Sequence, residues 1–158
     1  MPNQPLRAGT LAPGFNLSDA PGHYVSLDSF RGEPVVLLFY AADFNPVCIR
    51  QLTIFNEALT EFLRLQAQVL AVSTDNVWSH VNFSSSYNLH FPLLSDYHPQ
   101  GRTARDYHVY HSRTGEAVRS AFVIDARGLI VDAYESSGDI AVSANGAISA
   151  LEQIRKAI

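Results

Sequence analysis

A continuous apolar run over residues 35–40, with the sequence VVLLFY, constrains the fold of this chain more than any other feature. Runs of β-branched and aromatic residues of this length are typical of strands that are buried on both faces. Such a strand requires packed layers on each side of its sheet. The run therefore predicts a central strand. The 158 residues, of which 47% are hydrophobic, suffice for the single domain that we expect over residues 1–158.

Helix and strand patterns alternate after this run. One amphipathic helix is predicted over residues 46–66, where five apolar residues recur at steps of four and three: Cys48, Leu52, Phe55, Leu59 and Phe62. Further strands are predicted at residues 69–73, 91–94, 120–124 and 129–134, and further helices at 76–87, 99–107 and 142–158, the last with apolar periodicity up to Ile158. Turn signals at Pro13-Gly14 and Pro21-Gly22 predict a β-hairpin within the first 30 residues.

This order of elements predicts an α/β protein with a thioredoxin-like fold, in which a mixed central sheet has helices on both faces and an N-terminal β-hairpin. In open sheets of this kind, ligands bind beyond the carboxyl ends of the strands. The loop over residues 41–47 follows the predicted central strand, so it is the expected place for a functional site.

Charge and composition exclude several classes of partner. The formal net charge is −4, and neither a basic run nor a basic amphipathic segment is present, which speaks against nucleic acid or an anionic membrane surface as a partner. The first residues lack the apolar region of a signal peptide, and the longest apolar run is far shorter than a membrane span. We therefore expect a cytoplasmic protein with a small neutral substrate.

Metal and disulfide sites have little support in the sequence. The six histidines show no clustered ligand spacing apart from one loose pair, and they are His23, His80, His90, His98, His108 and His111. We therefore expect no metal and no other cofactor. The chain has one cysteine, which cannot form an intramolecular disulfide and is consistent with a reducing compartment.

That cysteine, Cys48, lies where the central strand is expected to pass into a helix. The pair Asn45-Pro46 directly before the helical pattern predicts an N-cap followed by the first helical position, so Cys48 falls in the first turn. Free backbone N–H groups and the helix dipole favour an anionic sulfur there. The alternative is a small buried apolar residue that only packs.

Stretches along nearly the whole chain resemble the peroxiredoxins, thiol peroxidases whose signature is Pro, three residues, Thr or Ser, two residues, Cys. The similar stretches are residues 35–40, 43–44, 46–48, 72–75, 91–96 and 119–125. The single cysteine and residues 93–101 look most like the one-cysteine alkyl hydroperoxide reductase E branch. This resemblance implies that Cys48 is the peroxidatic cysteine and that Arg119 points at the sulfur and the peroxide, where its fixed charge stabilises both. The alternative for Arg119 is an exposed strand end.

Three residues depart from the family signature. Ala41 stands where the signature has Pro, which leads us to expect a wetter pocket and easier over-oxidation of the sulfur. Asn45 replaces the Thr or Ser; if its oxygen caps the helix, only its NH2 remains for substrate, and we expect reduced rather than absent activity. Gln51 replaces a frequent Glu and keeps hydrogen-bonding capacity without the charge.

The resemblance also suggests pocket residues and partners. Phe44 is expected to line the approach to Cys48, with Trp78 near the same mouth, although core packing is an equally good interpretation of both. The expected partners are a hydroperoxide substrate and an external thiol reductant, which is a low-molecular-weight thiol, a glutaredoxin-like protein or thioredoxin. Family members commonly dimerise, so we expect a homodimer.

Two further hypotheses remain open at the level of sequence. The first is a slow or non-catalytic protein on a peroxiredoxin scaffold, in which Ala41, Asn45 and Gln51 have degraded the site and oxidised Cys48 signals to a partner. The second is a thioredoxin-type disulfide reductase. That chemistry uses a Cys-x-x-Cys pair, and Asn45 occupies the position of its first cysteine, so we discount it.

Overall fold

A seven-stranded mixed sheet organises the chain in the computed structural model, which describes residues 4–136 and 140–157. The strands of this sheet are β1 (Asn16–Ala20), β2 (His23–Ser26), β3 (Val35–Phe39), β4 (Gln68–Ser73), β5 (Leu93–Ser95), β8 (Ser120–Ile124) and β9 (Ile130–Glu135). Their spatial order is β2-β1-β5-β4-β3-β8-β9. A separate two-stranded sheet pairs β6 (Tyr110–His111) with β7 (Glu116–Ala117).

The helices lie on both faces of the sheet. They are α1 (Pro46–Glu57), α2 (Leu59–Arg64), α3 (Val77–Ser86), α4 (Arg102–Asp106) and α5 (Asn145–Lys156), with one 3-10 turn at Leu27–Phe30. The predicted fold class, including the N-terminal hairpin formed by β1 and β2, is confirmed. None of the helices in the described part of the chain is long and apolar enough to cross a membrane.

The central position predicted for the first apolar run is also confirmed. All five residues of β3 are buried, and the strand pairs in parallel with β4 and antiparallel with β8. Because successive side chains of a strand point to opposite faces, β3 contributes to two cores. Val36 and Leu38 pack with residues of α1 and α5, whereas Leu37 and Phe39 pack with residues of α4 on the other face.

The second core contains an aromatic triad around Phe39. Its ring centroid lies 5.2 Å from that of Tyr107 and 5.7 Å from that of Phe122, in tilted and edge-on arrangements. Such geometries add about 0.5–1.5 kcal/mol per pair beyond the area that the rings bury. The triad therefore anchors the end of β3 from which the loop to α1 departs.

The predicted helix over residues 46–66 was wrong in one respect, because it is broken at Ala58. The backbone of Ala58 has φ −90° and ψ 2°, and its N–H is shared between the carbonyl oxygens of Ile54 and Phe55, each at 3.2 Å. This local tightening ends α1 and starts α2, and no proline or glycine marks it in the sequence. Across the break, the rings of Phe55 and Phe62 stack at 5.8 Å, so the apolar face is preserved.

Three other elements start later than predicted. Helix α4 starts only after Gly101, whose left-handed backbone (φ 73°) prevents an earlier start. Helix α5 begins at Asn145 instead of residue 142, and Ile158, the last residue of the predicted apolar periodicity, lies outside the described residues. Strand β5 begins after Pro92, which has no N–H for the sheet ladder.

Candidate active site

Asn45 and Pro46 begin α1 as the sequence predicts. The side-chain Oδ1 of Asn45 accepts hydrogen bonds from the backbone N–H groups of Val47 at 2.9 Å and of Cys48 at 3.1 Å. Pro46 follows as the first helical residue, where its missing N–H costs nothing. Cys48 therefore lies in the first turn of α1, at the positive end of the helix dipole.

Cys48 is completely buried. It shares the first core with Tyr40, Leu52 and Phe55, and none of its surface is exposed. The expectation that Ala41 leaves a wetter pocket stays a prediction, and Ala41 is itself only 9% exposed in this structure. Burial alone fits both a packing residue and a protected nucleophile, so the helix position must decide between them.

Phe44 gives the loop before α1 its shape. Its φ of 64° is in the left-handed region, which is uncommon for an aromatic residue. Its ring lies 5.0 Å from that of Phe83 and 6.3 Å from that of Tyr87, both on the side of α3, and 44% of Phe44 remains exposed. Trp78 is 69% exposed, so the interpretation that its side chain packs in the core is wrong. Phe44 thus forms an aromatic surface beside the start of α1.

Gln51 fixes α1 to the end of β3. It is fully buried, one helical turn after Cys48, and its Nε2 donates to the carbonyl oxygen of Phe39 at 3.2 Å. Because the carbonyl can only accept, this bond fixes the orientation of the amide and directs Oε1 elsewhere. That Oε1 is buried and accepts no hydrogen bond from the residues that the structure describes. Gln51 is therefore a structural anchor next to the sulfur.

Arg119 directly precedes β8 at the same end of the sheet. Ser120 is paired with Phe39 in the antiparallel ladder, so Arg119 lies beyond the end of β3, level with the start of the loop to α1. Alternation along β8 puts Arg119 on the same face as Ala121 and Val123, which pack in the core that contains Cys48. Arg119 is half-buried, which does not fit a fully exposed strand end. Its predicted contact with the sulfur stays a prediction.

A buried polar network under the loop was not predicted from the sequence. The carboxylate of Asp43 accepts hydrogen bonds from Tyr40 Oη and Ser79 Oγ, each at 2.7 Å, and faces Nδ1 of His80 at 2.9 Å. The backbone N–H of Asp43 donates to Oδ2 of Asp75 at 2.9 Å. The side chains of Asp43 and His80 are each only 1% exposed. This network ties the loop to the ends of β3 and β4 and to α3.

The same network groups three residues of the types that bind metal ions. Atoms of Asp43, Asp75 and His80 lie within 4.8 Å of one another, an arrangement that the spacing of the histidines in the sequence does not reveal. However, Asp75 Oδ2 already accepts from Ser73 Oγ at 2.6 Å, and Nε2 of His80 faces the carbonyl oxygen of Leu94 at 3.1 Å. Since these atoms are engaged in hydrogen bonds, we interpret the group as a structural network.

Tyr40 remains protonated in this environment. Burial of its side chain raises the pKa of Tyr40 well above the usual value, and the neighbouring carboxylate of Asp43 raises it further. A neutral phenol donates its proton, so the hydrogen bond from Tyr40 to Asp43 persists across the physiological pH range. The loop that carries Asn45 is therefore held by a donor that does not titrate there.

Comparison with known proteins identifies the family to which this chain belongs. Residues 8–133 match the AhpC/TSA family. The chain is a peroxiredoxin of the AhpC/TSA family. This membership agrees with the resemblance of the sequence stretches around Cys48.

Curated relatives of this peroxiredoxin come from plants and bacteria. It is 35% identical over 129 residues to chloroplastic peroxiredoxin Q of Oryza sativa subsp. japonica, covering 81% of this chain and 58% of the rice protein. It is 33% identical over 126 residues to alkyl hydroperoxide reductase E of Mycobacterium bovis, covering 79% of this chain and 82% of the mycobacterial protein. The chain thus spans less than two thirds of the length of the rice protein.

A solved structure agrees with the peroxiredoxin fold. The crystal structure of peroxidoxin BcpB from Mycobacterium tuberculosis superposes with a TM-score of 0.86 at 30% identity, covering 95% of this chain and 99% of that one.

The fold thus positions the predicted site residues of this peroxiredoxin at one end of the sheet. Ala41, Phe44 and Asn45 lie in the loop after β3, and Cys48 and Gln51 lie on the first turns of α1. Arg119 approaches that end from β8. The residues missed by sequence reasoning are those beneath the loop, above all Asp43 and His80.

Proposed function

We propose that this protein is a thiol-dependent peroxidase that reduces hydrogen peroxide or alkyl hydroperoxides through Cys48. The observation that carries the proposal is the position of the single cysteine in the first turn of α1, capped by Asn45, in a chain of the peroxiredoxin family. A helix N-terminus stabilises negative charge, and the thiolate is the nucleophilic form of cysteine.

In the proposed reaction, the Cys48 thiolate attacks the terminal oxygen of the hydroperoxide. A sulfur–oxygen bond forms while the oxygen–oxygen bond breaks, so Cys48 is oxidised to a sulfenic acid and the peroxide is reduced. The departing oxygen takes up a proton and leaves as water or an alcohol. The guanidinium of Arg119 stabilises the charge that moves from sulfur to oxygen, and the NH2 of Asn45 is the donor left over from its cap.

An external thiol regenerates the enzyme. The described chain has one cysteine, so the sulfenic acid condenses with a thiol from another molecule, which releases water and gives a mixed disulfide. A second thiol then resolves the mixed disulfide and restores Cys48. A low-molecular-weight thiol, a glutaredoxin-like protein and thioredoxin are the candidate reductants.

Peroxide kinetics test this proposal. Reduced protein is mixed with hydrogen peroxide and with an alkyl hydroperoxide, and the loss of free thiol is followed beside a Cys48→Ser control. We expect a second-order rate far above that of an ordinary free thiol and no reaction in the control. A wild-type rate equal to that of a free thiol contradicts the peroxidase proposal.

A second candidate function is a slow redox sensor on the same scaffold. It is favoured by the double cap, because both hydrogen bonds to Asn45 use the oxygen that would otherwise accept from the peroxide. Asn45→Thr separates the two functions. An accelerated reaction in this variant means that Asn45 limits catalysis and supports the sensor, whereas a slower reaction means that Asn45 is a working substitute.

We further propose a homodimer and a cytoplasmic location. Phe44 and Tyr87 are 44% and 39% exposed and pack together over Phe83, and this aromatic surface suits a second copy of the chain. Sedimentation velocity of the wild type and of Phe44→Ser tests the dimer, and a wild-type monomer contradicts it.

Fractionation of cells tests the location, which rests on the single cysteine and the absence of structural disulfides.

A further inference from the structure

His80 faces hydrogen-bond acceptors at both ring nitrogens. Its Nε2 lies 3.1 Å from the carbonyl oxygen of Leu94 in β5, and a carbonyl can only accept, so Nε2 carries a hydrogen. Its Nδ1 lies 2.9 Å from Oδ2 and 3.1 Å from Oδ1 of Asp43. The hydroxyl of Tyr40, which donates to Asp43, also lies 3.2 Å from Nδ1, so Nδ1, Asp43 and Tyr40 form one hydrogen-bonded group. His80 thus bridges β5 and the loop before α1.

The carboxylate of Asp43 is held from three directions. Besides its contact with His80, it accepts hydrogen bonds from the hydroxyl of Tyr40, at the end of β3, and from the hydroxyl of Ser79, in the first turn of α3. Its backbone is held separately by Asp75, which follows β4. Burial of a carboxylate costs free energy unless its lone pairs meet hydrogen-bond donors. Removal of one donor is therefore expected to shift the position of Asp43.

Asp43 is separated from the helix cap by a single residue. That residue is Phe44, whose left-handed backbone leaves little freedom in how the chain proceeds to Asn45. Asn45 in turn holds the backbone N–H of Cys48. A continuous set of contacts therefore runs from His80 through Asp43 to the cap that holds the backbone N–H of Cys48.

We propose that His80 is a positioning residue for the reaction of Cys48, and that it acts through its Nδ1 hydrogen bond to Asp43. This bond holds Asn45 in the place where it caps α1, at the helix end that favours an anionic sulfur. The other bond, from Nε2 to Leu94, only connects α3 with β5. The inference extends the proposed peroxidase function and names a residue that does not touch the substrate.

Two substitutions distinguish the roles of the two ring nitrogens of His80. The amide nitrogen of His80→Asn is placed close to the former Nδ1 and can still donate to Asp43, whereas that of His80→Gln is placed close to the former Nε2 and can donate only to Leu94. Both variants lose the buried ring, so a lower melting temperature is expected in both. Only the glutamine variant is expected to disturb Cys48.

The spectroscopic measure is the thiolate absorbance near 240 nm, with the Cys48→Ser protein subtracted. At neutral pH, the thiolate-to-thiol ratio of His80→Asn should stay close to that of the wild type, and in His80→Gln it should fall roughly two- to fivefold, the usual effect of a helix terminus on a nearby charge. Equal ratios in the two variants, or ratios that only follow the melting temperature, overturn the proposal. Because this measurement needs no peroxide, it is independent of the test of the peroxidase function.

Asp43→Asn supplies a second test if a His80 variant does not fold. Removal of a nearby negative charge would by electrostatics alone increase the thiolate ratio. Loss of positioning instead decreases it, so the sign of the change decides, and an increase overturns the proposal. Asp96→Asn is the matched control, because Asp96 is another buried carboxylate, 2% exposed, that accepts from the backbone of Thr103 and Ala104 in α4. It should lower the melting temperature and leave the thiolate ratio unchanged.

Discussion

The side-chain oxygen of Asn45 accepts the backbone N–H of Cys48 at 3.1 Å, and through this bond the cap of α1 is also a neighbour of the candidate nucleophile. The same residue replaces the hydroxyl of the peroxiredoxin signature. A hydroxyl can donate one proton while its lone pairs accept, whereas the Asn45 oxygen is fully used by Val47 and Cys48. Helix stability and substrate binding therefore compete for one side chain.

Asn45→Ala is expected to destabilise the protein and to reduce the thiolate of Cys48 together. Two backbone N–H groups lose their acceptor, which costs about 1 kcal/mol of the free energy of unfolding. Urea denaturation and the absorbance near 240 nm measure the two effects. Asn45→Ser should restore both in large part. Asp96→Ala removes a similar double cap from α4 and should affect stability alone; a loss of thiolate in this control contradicts the expected local effect.

Gln51→Leu is expected to change the free energy of unfolding by less than about 1 kcal/mol. The substitution removes the hydrogen bond to the carbonyl oxygen of Phe39 but also removes the buried Oε1, which accepts no hydrogen bond from the described residues. The two effects have opposite signs and similar size. Urea denaturation checks the balance, and a loss of several kcal/mol would mean that Oε1 has a partner in solution.

Alkaline pH is expected to destabilise the protein through its buried tyrosines. Burial raises the pKa of Tyr40 and of Tyr107 above the usual value of 10.0. Above pH 10 the unfolded chain therefore loses protons that the native protein retains, so stability falls as pH rises, by roughly 1.4 kcal/mol per pH unit for each tyrosine. Urea denaturation between pH 9 and about pH 11 measures this slope.

Tyr40→Phe should reduce the dependence of stability on pH by the contribution of one tyrosine, roughly 1.4 kcal/mol per pH unit. The exposed Tyr24, whose hydroxyl meets water in the native protein, supplies the control Tyr24→Phe. An unchanged slope in Tyr40→Phe, or an equal reduction in both variants, contradicts the assignment to the buried hydroxyl.

Gly101→Ala is expected to destabilise the protein by more than Gly9→Ala. Both glycines have positive φ, 73° and 92°, and both substitutions introduce backbone strain of about 1 kcal/mol. A Cβ at Gly101 would also collide with the ring of Tyr110, whereas a Cβ at Gly9 meets no atom within 4 Å. Thermal and urea denaturation of the two variants measure the difference. Equal losses would show that Tyr110 moves away freely.

Features that depend on neighbours in the sequence could be predicted from it. The apolar run of β3 indicates its own burial, and the pair Asn45-Pro46 indicates the cap because the partners are two and three residues away. The break at Ala58 could not be predicted, since a shared hydrogen bond of the backbone causes it and no glycine or proline marks it.

Features that depend on distant residues could not be predicted. His80 and Asp43 are 37 residues apart, and they meet only because α3 packs on β1 and β5 with its first turn beside the loop that follows β3. In the sequence, His80 is one of six histidines without a distinctive spacing. Arg119 could be named only through the family resemblance, because nothing in its own surroundings along the chain indicates a role.

The complete burial of Cys48 limits how the proposed catalytic cycle is closed. A thiol on another protein must bring its own sulfur to bonding distance of Cys48 before a mixed disulfide can form. Because Cys48 is buried in the first turn of α1, we expect that turn to unwind for a moment during this approach. At high concentration of a protein reductant, the regeneration rate should therefore reach a plateau that equals the rate of unwinding and is the same for every protein reductant.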